Sequence, residues 1–177
     1  LVTEPWTALG LRLGRLDLVR TTDEPAVVGH LGPDILDPDF DAAGAVANLA
    51  RTGGPIGAAL LDQRNVAGIG TIWASESLFA ERLNPWSERL SDNELRRVVD
   101  RARRMMLASL AQRAEPRVHG RSGRPCRRCG GTVRVAQLGP PTRERAMFYC
   151  PACQGGLAPD DDGHPMAPLG ARRHRSR

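Results

Sequence analysis

The 177 residues include 25 Arg and no Lys, 20 acidic side chains and 41% hydrophobic residues, for a formal net charge of +5. That is enough chain for one modest domain plus a small module, and no apolar run reaches the length of a membrane span. Without Lys there is no ε-amine to form a Schiff base, and without the charged-then-apolar start of a signal peptide nothing supports a secreted disulfide scaffold.

The first element expected is a pair of short strands in residues 1–20. Leu9, Leu11 and Leu13, then Leu16, Leu18 and Val19, alternate with polar residues and turn at Gly14-Arg15. One hairpin is not stable alone in water, so it reads as the edge of a sheet whose other strands lie elsewhere. The chain opens on Leu1 rather than Met, and further sequence upstream is expected. Residues 21–36, with Pro25, Gly29, Gly32 and Pro33, read as a connector, and His30 within it as a surface histidine.

Asp37-Pro38 is a helix start, an acidic cap followed by proline at the first helical position. This helix should run to about residue 50, where Gly53-Gly54-Pro55 ends it. A second helix is expected over residues 56–63, presenting Ile56, Leu60 and Leu61. Then comes Arg64-Asn65-Val66-Ala67-Gly68-Ile69-Gly70, a turn with two glycines and apolar Val66 and Ile69. A third helix should open at Thr71 and reach about residue 82, with Ile72, Ala74, Ser75, Leu78 and Phe79 on one face.

Ser91-Asp92-Asn93-Glu94 is a capping box. Behind it Leu95, Val98, Val99, Ala102, Met105, Met106 and Leu110 recur at helical spacing, so this long helix should form the core of the domain. The Met pair reads as packing. Arg96, Arg97, Arg101, Arg103 and Arg104 occupy the other faces, either solvated or gripping phosphate. Residues 111–125 are a basic link to the cysteine-bearing segment.

All four cysteines lie in residues 126–153, as Cys126-Arg127-Arg128-Cys129, twenty residues, then Cys150-Pro151-Ala152-Cys153. Two CxxC pairs around a hairpin-sized insert have the spacing of a tetrathiolate Zn²⁺ site, each pair setting two sulfurs on one turn. Gly130 suits the curl behind the first pair. The insert reads as strands 132–137 and 146–149 joined by Leu138-Gly139-Pro140-Pro141-Thr142. So few large apolar side chains make no core, and a structural metal can supply on the order of 10 kcal/mol of folding free energy instead. The competing readings are a pair of disulfides, or a redox dithiol, which a βαβ pattern around the CxxC would accompany. Residues 155–177, rich in Gly, Pro, Asp and Arg, read as a disordered tail.

Charge divides unevenly. Residues 1–63 hold four Arg against nine acids, residues 64–154 seventeen Arg against eight, and the remainder four against three. Four thiolates around one Zn²⁺ would still leave the middle block at about +7. A positive block beside a metal-held hairpin points to a polyanion, most economically nucleic acid, with a solvated Arg-rich surface as the alternative. Guanidinium grips phosphate with a planar fork and keeps its proton near neutrality. A Gly-rich turn into a helix offers free N–H groups and the favourable end of the dipole, with Gly68 and Gly70 allowing close approach and Thr71 adding a hydroxyl. With Arg143 and Arg145 on the hairpin, the expectation is two prongs on one duplex backbone.

The stretch from Leu61-Asp62-Gln63-Arg64 through Gly68-Ile69-Gly70-Thr71-Ile72-Trp73 to Leu78-Phe79 closely resembles the helix-two-turn-helix signature of the formamidopyrimidine-DNA glycosylase/endonuclease VIII family. Leu31-Gly32-Pro33-Asp34-Ile35-Leu36 is similar to that family's stretch between its two domains. His119-Gly120-Arg121-Ser122-Gly123-Arg124-Pro125-Cys126, and Arg145 through Cys153-Gln154, are similar to its zinc finger and the approach to it. The likeness covers about residues 9–154, in the family's motif order. It implies a mainly α fold with a small β zinc hairpin, preceded by the remnant of a β-sandwich. The parts would be terminal strands in 1–20, a linker in 21–36, a helix-two-turn-helix domain in 37–117, a finger in 118–154 and the tail.

Family members excise oxidised bases from DNA and cleave the resulting abasic site. The resemblance therefore implies a DNA-repair protein whose partner is duplex DNA with damaged bases or abasic sites. The chain is expected to be monomeric and, with no signal peptide or membrane span read in the sequence, cytoplasmic and nucleoid-associated. It implies zinc on Cys126, Cys129, Cys150 and Cys153, and phosphate contacts from Arg64, Gly68, Gly70, Thr71 and Arg145. Thr71 stands where the family usually has Asn, and Glu144 where Gly usually precedes the finger arginine. The family's N-terminal proline nucleophile and adjacent Glu have no counterpart here, since Pro5 follows four residues. The chain is expected to bind DNA without excising bases, with no catalytic residue of its own. The link of residues 113–117 before Val118 is short, more like the endonuclease VIII branch, which favours oxidised pyrimidines. The rivals are a non-catalytic nucleic-acid module, RNA included, and a zinc-stabilised partner-binding protein.

Overall fold

A computed structural model describes residues 2–11, 16–112 and 115–164. The chain divides after His30 into two units. In the first, Val2 and Thr7 form an isolated antiparallel bridge, closed by Thr3 N–H donating to the Trp6 carbonyl at 2.7 Å. Gly14-Arg15, the expected turn, lies outside the described residues, and the described residues around it form no ladder. A strand edge without a partner strand has nothing to satisfy its backbone groups. Residues expected as plain connector instead form a short 3₁₀ turn, Thr21–Asp23, and helix α1, Glu24–Val28, with Pro25 in its first turn.

The second unit begins with residues 31–36, expected as linker, which belong instead to the helical core. Ile35 N–H donates to the Ala67 carbonyl at 3.0 Å, Ala67 N–H to Pro33 at 2.9 Å, and Gly32 N–H to Gln63 at 2.9 Å. Ile35 is fully buried. Gly32 has no alternative here, because a Cβ would stand 2.6 Å from the Asn65 backbone. This short parallel pairing closes a long loop, which local sequence does not signal.

Helix α2 spans Ala42–Arg51, not 38–50. Three aspartates compete to start it, and Asp41 prevails, its carboxylate accepting from Gly44 N–H at 2.8 Å. Asp37 caps a turn instead, accepting from Asp39 N–H at 2.8 Å, which lets Phe40 reach the core edge under Arg103. Helix α3, Ile56–Leu61, ends two residues earlier than expected, where the turn begins. Helix α4 spans Thr71–Glu81 and α5 spans Asp92–Ala111. The Ser91/Glu94 capping box forms in both directions, a device of about 1 kcal/mol. Val98, Val99, Ala102 and Met106 of α5 pack with Leu49, Leu60, Val66, Ile69 and Leu78 into one core. None of the described helices is long and apolar enough to cross a membrane.

Strands β1, Arg134–Leu138, and β2, Arg145–Tyr149, pair antiparallel with Leu138 opposite Arg145. Because side chains alternate across a strand, Met147 enters the helical core while Phe148 enters a second cluster with Phe79, Val118 and Val133. The finger borrows Phe79 from α4 for its own core. A four-residue helix α6, Pro151–Gln154, follows.

The expected disordered tail is not disordered where it is described. Asp161 accepts from the Arg134 guanidinium and from the Tyr149 hydroxyl, the latter at 2.5 Å, and Ala158 N–H donates to that hydroxyl at 2.9 Å. The Arg134 guanidinium holds the Asp161 carboxyl down to about 2, and burial pushes the Tyr149 phenol up to about 12. Residues 165–177 lie outside the described residues. Asp161→Asn would leave Arg134 buried without its counter-charge. It should lower urea-unfolding stability by about 2–4 kcal/mol and admit protease between residues 155 and 164. Asp160→Asn, at an exposed neighbour, should do neither.

Candidate nucleic-acid interface and metal centre

Between α3 and α4 the chain must reverse within nine residues without a side chain in the way. Gln63 shapes that turn: its Oε1 accepts from Gly68 N–H at 2.8 Å and its Nε2 donates to the Ile69 carbonyl at 3.0 Å. Buried Val66 and Ile69 anchor it from below, and Asn65 Nδ2 donates to the Ala59 carbonyl at 2.9 Å. Gly68 stands at φ +96°, where a side chain is strained, and a Cβ would also press on Ile35 at 3.1 Å. Gly70 is the N-cap of α4 and offers no capping side chain, so the N–H groups of the first turn are not taken up by one.

Gly68, Gly70 and Thr71 line one open groove of about 440 Å³ with Leu61, Gln63, Ile69 and Arg145. Two elements far apart in sequence, the helical turn and the start of β2, thus share a cleft. Arg145 is exposed and has no carboxylate partner among the described residues. Arg64 is not in the groove. Its guanidinium pairs with Asp62 at 2.6 Å and is largely exposed, and the bond holds the Asp62 carboxyl below its usual range. Of the five candidate phosphate residues, four are therefore brought together and one is held aside. On α5, Arg96 pairs with Asp100, and Arg97 and Arg101 both pair with Glu81, which neutralises part of the basic face.

The four cysteine sulfurs converge, all within 4.8 Å of one another. Cys126 and Cys153 sulfurs are 4.0 Å apart, and those of Cys129 and Cys150 are 3.5 Å apart. Four thiolates at about 2.3 Å from a tetrahedral zinc would stand about 3.8 Å from one another, so this donor set fits that ion. The first knuckle is closed by Cys126 N–H donating to Gly131 at 2.6 Å and Gly130 N–H to Cys126 at 2.9 Å, with Gly130 at φ +77°. The second is closed by Cys153 N–H to Cys150 at 3.1 Å and by Gln154, which ties Cys150 N–H to the Leu83 carbonyl. A hydrogen bond from Gly131 N–H lowers the Cys129 thiol to about 7, while burial pushes Cys150 and Cys153 up. A divalent ion would hold all four as thiolates and leave no open position, which is a structural rather than a catalytic role.

Two residues escaped the reading of the sequence. Glu76, 3% exposed in the middle of α4, accepts the N–H groups of Arg117, Val118 and His119 at 2.8–3.0 Å. Arg128 lays its guanidinium 4.0 Å from the Phe79 ring and donates to the Phe79 carbonyl at 2.9 Å. The only signal for Glu76 was a charge on an otherwise small and apolar helix face. Arg128, between two cysteines, gave none.

Residues 31–117 match the model of the formamidopyrimidine-DNA glycosylase H2TH domain. The chain is 45% identical over 175 residues to a probable endonuclease 8 2 of Streptomyces coelicolor, covering 89% of this chain and 61% of that protein. It is 34% identical over 166 residues to the DNA-(apurinic or apyrimidinic site) lyase Nei2 of Mycolicibacterium smegmatis, covering 87% and 64%. The crystal structure of the MutM (Fpg) protein from Thermus thermophilus superposes with a TM-score of 0.67 at 29% identity, over 78% of this chain and 59% of that one. The chain spans about three fifths of the length of the curated relatives it matches. Motif order, helical turn, cysteine cluster and these likenesses agree, and the chain belongs to the formamidopyrimidine-DNA glycosylase/endonuclease VIII family.

Proposed function

We propose that these residues are the DNA-gripping part of a base-excision-repair glycosylase/AP lyase, acting on duplex DNA with damaged bases or abasic sites. The observation that carries the reading is the groove in which Arg145 faces the turn of residues 68–71. A phosphate there would meet a guanidinium with no carboxylate partner among the described residues from one side and helix N–H groups without a capping side chain from the other, both favouring an anion. Thr71 would add a hydroxyl with a shorter reach than an amide side chain. Arg64, already paired to Asp62, would contribute less than the other four. Zinc held by Cys126, Cys129, Cys150 and Cys153 would fix the hairpin that carries Arg145.

The role assigned to these residues is positioning, with binding energy that holds the strand for chemistry done by other groups. No Lys is present to form an imine with a sugar carbon. Within the family we favour the endonuclease VIII branch and oxidised pyrimidines. The link between α5, ending at Ala111, and buried Val118 is too short for a long loop to close over a base, and the Streptomyces relative supports the same branch. A nucleic-acid module for structured RNA is the second reading, and comparison of ligands separates the two.

The zinc-loaded chain should retain duplex containing a tetrahydrofuran abasic analogue better than intact duplex or structured RNA in a filter-binding titration. Arg145→Ala should weaken that binding about tenfold and flatten the log–log salt dependence by about 0.9, one phosphate's worth. Stripping the metal with a chelator should unfold the hairpin and abolish the difference between the Arg145→Ala variant and the unaltered chain. Binding that ignores ionic strength would instead favour a protein partner. Borohydride added to the chain with abasic duplex should trap no covalent adduct; a shifted band on a denaturing gel would place chemistry within these residues.

A further inference from the structure

Helix α4 carries the groove at its first residue, and the finger is fastened along its length. Ser75 Oγ accepts from Phe148 N–H at 3.2 Å and lies 3.2 Å from Met147 Sδ, next to that residue in β2. Glu76 is the other fastening, and chemically the less expected one. A buried carboxylate is costly unless its charge is compensated. Here no cation pairs with it among the described residues. Three consecutive N–H groups of the approach to the finger, Arg117 to His119, converge on it instead, with Val118 fully buried beside them. Such a row of N–H groups is an anion cradle, filled in this molecule by its own side chain.

The placement gives that carboxylate a consequence for binding. Glu76 stands five residues beyond Thr71, about 7.5 Å along the helix axis. The same rigid helix that presents the Gly70–N–H end therefore grips the peptide chain leading into the finger, and the finger carries Arg145. We infer that Glu76 is a positioning residue for the Arg145 prong: its hold on residues 117–119 sets the finger's seat on α4, and hence the span between Arg145 and the turn of residues 68–71. This rests on the DNA-binding reading. Metal would fold the finger; Glu76 would aim it.

A double-mutant cycle on the zinc-loaded chain tests this, using duplex with the tetrahydrofuran abasic analogue. Glu76→Gln keeps the shape but turns one acceptor into a donor facing other donors. It should retain one zinc per chain and its helical circular dichroism, yet bind the duplex about tenfold more weakly. In that background Arg145→Ala should cost less than about twofold, against about tenfold in the unaltered chain, because an ill-seated arginine has little left to lose. Glu76→Asp, with the charge one methylene shorter, should fall between. An Arg145→Ala factor unchanged in folded, zinc-bearing Glu76→Gln overturns the inference while leaving the DNA-binding reading intact. Should Glu76→Gln fail to take up zinc, the same comparison in Glu76→Asp decides it, and an unchanged factor there is equally fatal. No Arg145 effect in the otherwise unaltered chain takes down the DNA-binding reading and this inference with it.

Discussion

A hairpin of this size, flanked by four clustered cysteines, cannot bury a core of its own, and the second unit is arranged around what it borrows. Phe79 of α4 sits in the finger's cluster with Val118, Val133 and Phe148, fully desolvated, a burial of about 2–3 kcal/mol. In exchange Leu138 and Met147 of the hairpin enter the helical core. The two clusters interlock through successive residues of β2, because a strand sends neighbours to opposite faces. Separating the finger from the helices would expose both.

Polar contacts finish what the apolar exchange begins. Ser75, Glu76 and the Phe79 and Leu83 carbonyls of α4 and its end each bind a different segment of the finger. The low-dielectric setting makes each bond directional and expensive to lose. Such a seat allows little sliding, which fits the proposed role of holding Arg145 and the turn of residues 68–71 a fixed distance apart. Rigid spacing limits the ordering cost that binding would otherwise carry.

The same economy explains the segment beyond the cysteines. Arg134 points into the structure from β1 and needs a counter-charge, and Asp161 returns from the chain beyond α6 to supply it while also accepting from Tyr149. Trp86 packs edge-on against Tyr149 at 4.8 Å. A stretch of Gly, Pro and Asp is thus held chiefly by polar contacts centred on the Asp161 carboxylate, with Ala158 as its buried apolar residue.

What the sequence alone determined about this protein was local or rigidly spaced. The Ser91/Glu94 box, the periodicity of α5 and the start of α4 behind a glycine act over a few residues, and the four cysteines come as two tight CxxC turns of fixed spacing. Three of the five candidate phosphate residues share one groove for the same reason, since they lie on a single turn, whereas Arg145 reaches it only because β2 packs on α4. Tertiary structure decided the rest. Ile35 joined the core through a parallel pairing with Ala67, Asp41 outcompeted Asp37 once Phe40 had to reach the core edge, and Asp161 found Arg134 across the finger. Glu76 was illegible because its partners are backbone N–H groups, which every residue but proline possesses and which only folding brings together.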